Sequence, residues 1–429
     1  MLIKKSKRSA TCSAKSEVLQ KAQKAKIAAR AAAMLSGAVK NQSLLALAAA
    51  LEEKTPKILQ ANFLDRQRAQ KNKLSAALLD RLALDAQRVK AMADGLRALA
   101  RLPDPNNRVL EKTRRPNGLR IEKISVPLGV IAIIYEARPN VTADAAGLCL
   151  KAGSAALLRG GSDAAESNKT IAAVLRQALQ ANGLPPDLIQ NIENTDRRAV
   201  SELLSLREYI DLLIPRGGAG LIQKVVRESS IPVIETGTGN CHVYVDESAK
   251  LPQALNIALN AKVSRPSVCN AAETLLVHEK IAAKFLPPML RAYQNAGVKI
   301  HGCAKTRKYA PAVLPATPED YAREYLDLEI AVKVVAGVDE AIEHIYRYGT
   351  KHSEAIVTEN KRNAEKFLQK VDAAAALVNA STRFTDGGEF GFGCEIGIST
   401  QKLHARGPMG LRELMSYKYL VRGQGQIRK

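Results

Sequence analysis

GVIAIIYEARPNVTADAAGLCLKAGSAALLRGGSDA, residues Gly129 to Ala164, is the stretch that decides the fold class of this chain. It opens with GVIAIIY, a continuous apolar run typical of strands that are buried on both faces of a sheet. ADAAGLCLKAG then has a helical pattern, and SAALLRGG predicts a second strand that ends at a pair of glycines. The order strand, helix, strand predicts part of a parallel, doubly wound α/β sheet.

The same alternation continues toward the C-terminus. A helix is predicted up to QANGLPP, a strand is predicted in YIDLLIPRGG, and a second alternating region begins near IPVIETGTGN. The region before Gly129 differs, because apolar residues recur three and four apart over Leu44–Gln70 and Ala77–Leu102, which predicts helices. Pro116-Asn117-Gly118 then stands between two alternating stretches and predicts a β-hairpin.

Length and composition limit the classes of protein. A chain of 429 residues with 46% hydrophobic content predicts two to three soluble domains. No apolar run approaches the roughly 20 residues that cross a bilayer. The basic N-terminus has no apolar stretch of a secretory signal behind it, and a basic first helix is favoured over a mitochondrial transit peptide.

The six cysteines are scattered and form no C-x-x-C pair. This pattern indicates free thiols in a reducing compartment, and we expect a cytoplasmic protein. The six histidines form no H-E-x-x-H cluster, so no metal site is predicted.

The net charge of +22 allows two interpretations, a nucleic-acid binder or an enzyme that handles anions. Aromatic residues make up only 4% of the chain and Trp is absent, so few side chains could stack on bases. Lys and Arg are also spread along the whole chain rather than concentrated in one arm. The composition therefore disfavours nucleic acid as a partner.

Two glycine turns follow predicted strands, LLRGGSDA at Leu157–Ala164 and LIPRGGAG at Leu213–Gly220. Backbone amides at the carboxyl end of a strand bind anions, and the next helix N-terminus adds to this. Arg159 and Arg216 add positive charge to the two turns. Neither turn is a G-x-G-x-x-G fingerprint, but two such turns on neighbouring strands of one sheet favour a phosphate site.

The stretch SRPSVCN, Ser264–Asn270, holds one thiol in a Pro-containing loop beside Arg265. A loop thiol near a cation is a competent nucleophile, and a structural loop cysteine is the equally open alternative. Cys241 and His242 are adjacent on a predicted strand and point to opposite faces, so they form no catalytic pair. The remaining cysteines receive no role: Cys12, Cys149, Cys303 and Cys394.

RPSVCN, VIETGTGN and IYEARPNV, in this order and spacing, resemble the aldehyde dehydrogenase superfamily. From about residue 15 to the C-terminus the chain is most similar to the branch that reduces L-glutamyl 5-phosphate. That similarity is carried by the opening stretch and by IDLLIPRGGAGLI, VAGVDEAIEHIYRYGTKHSEAI, VNASTRFTDGGEFGFG and STQKLHARGPMG.

The resemblance implies a Rossmann-type cofactor domain (1–107 and 122–236), an α/β catalytic domain (237–406) and a small β oligomerisation arm (108–121 and 407–429). It implies NADPH-dependent reduction of L-glutamyl 5-phosphate to L-glutamate 5-semialdehyde with release of phosphate, in proline biosynthesis. A homo-oligomer is expected, and a glutamate 5-kinase is a candidate partner.

The resemblance also assigns site residues. Cys269 falls on the catalytic thiol and Asn140 on the asparagine of the oxyanion hole. Ser162 stands where NAD-preferring members carry a Glu that holds the ribose 2′-hydroxyl, and its neutral side chain suits NADPH. The further cofactor candidates are Arg159, Gly160, Gly161, Arg216, Gly217, Gly218 and Glu324, and the substrate candidates are Arg138, Arg265, Ser381 and Arg383.

Glu235 supports the alternative enzyme, a hydrolytic NAD(P)-dependent aldehyde dehydrogenase. It lies 34 residues before Cys269 (269 − 235 = 34), where hydrolytic members keep the base that activates water. A reductase passes its thioester to hydride and has no need of that base. We therefore expect Glu235 to be dispensable if the chain is a reductase.

Overall fold

The structure, a computed structural model, describes the backbone of residues 3–428 and the side chains of 17–75, 78–218 and 220–428. The side chain of Cys12 lies outside the described residues. The chain divides into a first unit (Met1–Glu235, Phe392–Gly397 and Met409–Lys429) and a second unit (Thr236–Gly391 and Ile398–Pro408).

The first unit begins with five helices. They are α1 (Ile3–Ala32), α2 (Gly37–Glu53), α3 (Thr55–Lys71), α4 (Ala76–Leu82) and α5 (Ala86–Arg101). The two predicted helical stretches are thus confirmed as helical, but each is divided in two. In the first, Pro56 in the first turn of α3 starts a new helix directly after α2, since proline fits a helix only at its beginning.

The rest of the first unit, up to residue 235, alternates between strands and helices. Its elements are β1 (Val109–Arg114), β2 (Arg120–Pro127), β3 (Val130–Tyr135), α6 (Asn140–Ala152), β4 (Ala155–Gly160), α7 (Ala165–Ala181), β5 (Ile189–Asn191), α8 (Arg197–Leu203), β6 (Leu212–Arg216) and α9 (Ala219–Glu228).

The predicted parallel sheet is present, in the strand order β5-β4-β3-β6. All six residues of β3 are buried, as its continuous apolar sequence predicts. The expectation that β4 and β6 are neighbours is wrong, because β3 lies between them and pairs with both. Tyr135, the last residue of β3, pairs with Gly160 on one side and with Arg216 on the other. Both glycine turns therefore leave the sheet at the same edge.

The second unit is built on a longer parallel sheet. Its elements are β7 (Cys241–Val245), α10 (Leu251–Val263), β8 (Ala272–His278), α11 (Glu279–Asn295), β9 (Lys299–Gly302), α12 (Ala304–Arg307), β10 (Leu314–Pro315), α13 (Pro318–Ala322), β11 (Glu329–Val335), α14 (Val338–Tyr348), β12 (Ser353–Val357), α15 (Lys361–Lys370) and β13 (Ala375–Val378). Seven of these strands form one parallel sheet in the order β10-β9-β11-β8-β7-β12-β13. Phe285, Leu286 and Met289 of α11 are fully buried in its core.

Three short or terminal strands complete the chain: β14 (Gly397–Ser399), β15 (Gly407–Met409) and β16 (Met415–Arg422). The predicted hairpin is present, since β1 and β2 pair antiparallel around Gly118, which has φ of +89°. β16 pairs antiparallel with the other edge of β2, so the hairpin and the C-terminal segment form one three-stranded sheet.

Among the described residues, no helix is long and apolar enough to span a membrane. Within the same part of the chain, no group of three or more His, Cys, Asp or Glu side chains could hold a metal ion.

Candidate active site

Cys269 lies in the loop that joins α10 to β8 in the second unit, and its side chain is partly exposed. The other described cysteine thiols are less suited to nucleophilic attack where burial raises their pKa. This applies to Cys149, whose pKa is raised to about 12, and to Cys241 and Cys394, whose pKa values are raised mainly by burial. Cys269 is thus more exposed than the buried Cys149 and Cys241, while Cys394 is also partly exposed but is disfavoured as a thiolate by desolvation.

The backbone of Cys269 is held by close contacts with the segment before β7. The Cys241 thiol donates to the Cys269 carbonyl, with 3.1 Å between sulfur and oxygen. A Cβ placed on Gly239 would overlap that carbonyl group and would lie 2.6 Å from the Cα of Cys269. Only glycine at position 239 therefore permits this approach of the two backbones.

Glu324, which the resemblance assigns to the cofactor, has a partner in this unit. Its Oε1 accepts the backbone N–H of Gly239 at 2.7 Å. The Glu324 carboxylate therefore stabilises the backbone segment at Gly239, against which Cys269 packs. No local sequence pattern predicts this contact, because the two positions are 85 residues apart.

Asn270 and Arg383 join the Cys269 loop (residues 264–271) to the segment after β13. The Arg383 guanidinium donates to Asn270 Oδ1 and, at 3.2 Å, to Ser264 Oγ. Asn270 Nδ2 donates in return to the Thr385 carbonyl at 2.9 Å, and Thr382 Oγ1 donates to the Asn270 carbonyl at 2.7 Å. Both sides of the loop are thus anchored to one short segment.

Three predicted substrate residues of the second unit are brought together here. Burial lowers the pKa of Arg383, and the like charge of Arg265 lowers it further, while Asp386 and Cys269 oppose this effect. The buried Ser381 accepts the backbone N–H of Arg383 at 3.3 Å. The result is a thiol next to positive charge, an arrangement that favours the thiolate and attracts anions.

The cysteine adjacent to a histidine forms no pair with it. The ring of His242 interacts through Nδ1 with Glu354 Oε2 at 2.9 Å, and both side chains are fully buried. The Cys241 sulfur instead lies 3.6 Å from Nδ1 of His352, a residue next to strand β12. The prediction that Cys241 and His242 do not act together agrees with these contacts.

In the first unit, the predicted cofactor residues gather at the carboxyl edge of the four-stranded sheet. Arg159 and Gly160 end β4, Gly161 and Ser162 follow them, and Arg216 ends β6 before Gly217 and Gly218. Arg159 is 8% exposed and donates through Nη2 to the Thr195 carbonyl at 2.7 Å. Among the described residues, the buried Nε atoms of Arg159 and Arg216 have no hydrogen-bond partner. A buried and a half-buried guanidinium group, each with a spare Nε donor, fit an anionic cofactor at this edge.

Glu136, which directly follows β3, was missed at the level of the sequence. Its Oε2 accepts the backbone N–H of Gly218 at 2.9 Å, at the start of α9. Burial lowers the pKa of Arg159, and the charge of Glu136 opposes that effect. Of the amides predicted to hold a phosphate, the one at Gly218 is thus engaged by an internal carboxylate.

Asn140 is the first residue of α6 and is exposed. Its Nδ2 donates to Asp144 Oδ2 at 2.9 Å. Arg138 lies in the turn just before α6, where its carbonyl accepts the N–H of Val141 at 3.1 Å. Glu235, the base of the alternative enzyme, lies outside any helix or strand, after the isolated bridge between Leu213 and Val233.

Comparisons with known proteins identify the family of the chain. The sequence profile of the aldehyde dehydrogenase family matches residues 5–315. A gamma-glutamyl phosphate reductase from Caldanaerobacter subterraneus subsp. tengcongensis is 59% identical over 413 residues, which cover 96% of this chain and all of the relative. Another from Thermoanaerobacter pseudethanolicus is 57% identical over 413 residues, with the same coverage.

A solved structure gives the same result for the fold. The crystal structure of gamma-glutamyl phosphate reductase from Thermotoga maritima matches with a TM-score of 0.92 at 51% identity and covers 96% of this chain and all of that one. The expected aldehyde-dehydrogenase-like α/β fold is confirmed. The chain belongs to the aldehyde dehydrogenase family and, within it, to the gamma-glutamyl phosphate reductases.

Proposed function

We propose that the chain reduces L-glutamyl 5-phosphate to L-glutamate 5-semialdehyde and phosphate, a reaction of proline biosynthesis, through a thioester on Cys269. The observation that carries the proposal is the partly exposed Cys269 thiol in a loop anchored next to Arg383, in a chain with relatives named for this reaction. Several steps follow from the chemistry of these residues.

The Cys269 thiolate attacks the γ-carbonyl carbon, a C–S bond forms, and the C–O bond to phosphate breaks. Phosphate leaves with the bonding pair, so no water is consumed. The positive charge of Arg383 and Arg265 favours both the thiolate and the binding of a substrate that carries a phosphate and an α-carboxylate. The close packing of Gly239 on the Cys269 backbone limits how far the sulfur can move.

We assign the oxyanion donor to Asn140 on the basis of the family resemblance. An amide N–H that donates to the developing oxyanion contributes roughly 3 kcal/mol in enzymes where such a donor was removed. Asn140 is exposed at the start of α6 and has one Nδ2 hydrogen beyond the one given to Asp144. Its Nδ2 therefore retains a donor for substrate.

The cofactor belongs, in this proposal, at the carboxyl edge of the four-stranded sheet. The aldehyde dehydrogenase family uses nicotinamide cofactors, and we propose NADPH because Ser162 places no negative charge near a 2′-phosphate. Arg159 and Arg216 would hold its phosphates with their spare Nε donors. When bound, the cofactor supplies the hydride that reduces the thioester, and collapse of the thiohemiacetal regenerates the Cys269 thiolate.

The hydrolytic alternative differs in its use of water and phosphate. The relatives named as reductases favour the first reaction, and Glu235 is then not required as a base. We therefore expect Glu235→Gln to retain the reductase activity.

One assay tests the function: L-glutamate 5-semialdehyde with NADP⁺, with and without phosphate, for wild type and Cys269→Ala. We expect phosphate-dependent formation of NADPH that the variant lacks. Cys303→Ser is the matched control, because this partly buried thiol in the same unit interacts with Thr306 Oγ1 at 3.3 Å and a hydroxyl can replace it there. Turnover without phosphate would move the assignment to the hydrolytic enzyme, and an active Cys269→Ala would overturn the role of the thiol.

We further propose a homo-oligomer that uses the three-stranded sheet of β1, β2 and β16. Large apolar side chains are exposed on it: Val109, Leu110, Tyr417, Tyr419 and Val421. Light scattering of wild type and Tyr419→Glu tests this, with a smaller mass expected for the variant. A complex with a glutamate 5-kinase is a further proposal, and it is tested by co-elution of the two purified enzymes.

A further inference from the structure

Asp144 lies one helical turn after Asn140 on α6, and its carboxylate accepts a hydrogen of Asn140 Nδ2 at 2.9 Å. An ionised carboxylate can only accept hydrogen bonds. The bond therefore requires the nitrogen end of the Asn140 amide to face Asp144, and it fixes the rotation of the amide about its last bond. The second Nδ2 hydrogen then points in a direction set by Asp144.

Asp144 is half-buried and faces α5 of the same unit. A Cβ on Gly95 of α5 would lie at an ordinary contact distance of 3.9 Å from Asp144 Oδ1 and only 3.0 Å from the sulfur of Cys394. Packing against α5 and the 392–397 segment thus restrains the Asp144 side chain. The restraint matters because an amide that rotates freely presents its donor to substrate for only part of the time.

Burial and the neighbouring groups together set the pKa of Asp144. Burial raises its pKa to about 6, the hydrogen bond from Asn140 and the charge of Arg216 lower it, and Glu395 raises it. Asp144 also raises the pKa of Cys394, whose thiol is already disfavoured as a thiolate by burial. At pH 7.5 the ionised carboxylate is therefore the main form, and it only accepts hydrogen bonds.

We propose that Asp144 is a positioning residue: it orients the Asn140 amide so that an Nδ2 hydrogen is presented to the oxyanion of the reacting acyl group. This inference rests on the proposed role of Asn140. The positive charge of Arg216 offsets part of the cost of a carboxylate at this position.

The test compares Asn140→Ala, Asp144→Ala, Asp144→Asn and the double Ala variant in the phosphate-dependent assay. We expect Asn140→Ala to lower kcat by about 100- to 1000-fold. Asp144→Ala should lower kcat by about ten- to 100-fold through misorientation of the donor, with KM values changed by less than about two-fold. The double variant should be no slower than Asn140→Ala, because Asp144 acts only through that amide.

Two variants separate positioning from folding. Asp144→Asn should recover part of the lost kcat, because its Oδ1 can accept the same hydrogen bond. Asp94→Ala is the matched control: Asp94 also accepts an i,i+4 bond, from Lys90 at 2.6 Å on α5, and should leave kcat unchanged.

Four results would overturn the inference: unchanged kcat in Asp144→Ala, a loss in the double variant equal to the product of the single losses, no recovery in Asp144→Asn, or an equal loss in Asp94→Ala. If Asn140→Ala itself keeps full activity, the proposed oxyanion role fails and the inference fails with it. If Asn140→Ala is slow and Asp144→Ala is normal, only the inference about Asp144 fails.

Discussion

The carboxylate of Glu136 accepts the backbone N–H of Gly218, with 2.9 Å between Oε2 and the amide nitrogen. Gly218 precedes α9, and the N-terminus of a helix is a site at which anions are stabilised. The carboxylate also lies so close to Gly217 that a Cβ there would displace it from the amide. The Glu136 carboxylate therefore occupies the place at which a cofactor phosphate is expected. When the cofactor binds, the carboxylate must move away from the Gly218 amide, or it will repel the phosphate.

We predict that Glu136→Gln lowers the KM for NADP⁺ about three- to ten-fold with little change in kcat. The amide side chain carries no charge, so a phosphate at the Gly218 N–H meets less repulsion; a factor of ten corresponds to about 1.4 kcal/mol. Initial rates at varied NADP⁺ and saturating phosphate measure this. Glu208→Gln is the control, because it removes the same charge from the exposed segment before β6, at the opposite end of that strand. A KM that rises in Glu136→Gln would mean that the carboxylate binds the cofactor directly.

Gly239 supports a second prediction, since a Cβ there would overlap the Cys269 carbonyl group. Gly239→Ala should shift the backbone of Cys269 and lower kcat at least about ten-fold. Overpacking should also lower the free energy of unfolding by about 1–3 kcal/mol. The assay and urea unfolding measure the two effects. Gly337→Ala is the control in the same unit: its extended backbone suits alanine, and the nearest atom to a Cβ there is 3.9 Å away. Full activity of Gly239→Ala would show that the backbone of the loop is free to move.

The parts of this molecule that the sequence predicts are those whose physical cause is local. GVIAIIY predicts a strand buried on both faces because the run itself is apolar, and Pro116-Asn117-Gly118 predicts the hairpin because the turn needs such residues. Cys269 can be identified as a candidate nucleophile from the sequence because it is a single thiol in a Pro-containing loop beside an arginine.

What the sequence left open depends on contacts between distant positions. Glu136 and Gly218 are 82 residues apart, and Glu324 and Gly239 are 85 apart. No local pattern states which amide a carboxylate accepts, since that is decided by the order of the strands in the sheet. The mistaken neighbourhood of β4 and β6 has the same origin: the chain order of the strands differs from their order in space. Asp144 was missed because the predicted helix, ADAAGLCLKAG, begins at Ala143, whereas α6 begins at Asn140 and makes the two residues an i,i+4 pair.

His344 supports a prediction about stability and pH. Burial, together with the charges of His242, Lys333 and Arg347, lowers its pKa to about 2. Its ring lies 4.9 Å from the ring centroid of Tyr321 and 4.7 Å from that of Tyr348. Below pH 6.5 the unfolded chain binds a proton at this residue that the folded chain does not, so stability is lost as the pH falls.

Between pH 7.5 and 5.5 this group should cost the wild type about 1.4 kcal/mol of unfolding free energy. His344→Phe keeps a ring of similar size and removes the titrating group. From pH 7.5 to 5.5 the free energy of unfolding of this variant should therefore fall by about 1.4 kcal/mol less than that of the wild type. Urea unfolding of both proteins at pH 7.5 and 5.5 measures this difference. Between pH 7.5 and 8.5 the two proteins should show the same change in unfolding free energy. Equal pH dependence of the two proteins would show that His344 binds its proton as readily in the folded chain as in the unfolded chain.

Arg383 supports the last prediction, which concerns how substrate is held. Its guanidinium donates to Asn270 Oδ1 and to Ser264 Oγ, two groups on the Cys269 loop. The planar guanidinium has further N–H donors that can bind a carboxylate or phosphate. Lysine keeps the charge but loses the fork. Arg383→Lys should therefore raise the KM for L-glutamate 5-semialdehyde at least about ten-fold and also lower kcat, because the anchor of the Cys269 loop is weakened. Arg362→Lys, at an exposed position at the start of α15 in the same unit, should leave both constants unchanged. If Arg383→Lys retains the wild-type KM, the anion of the substrate is bound elsewhere, and Arg265 becomes the first residue to test.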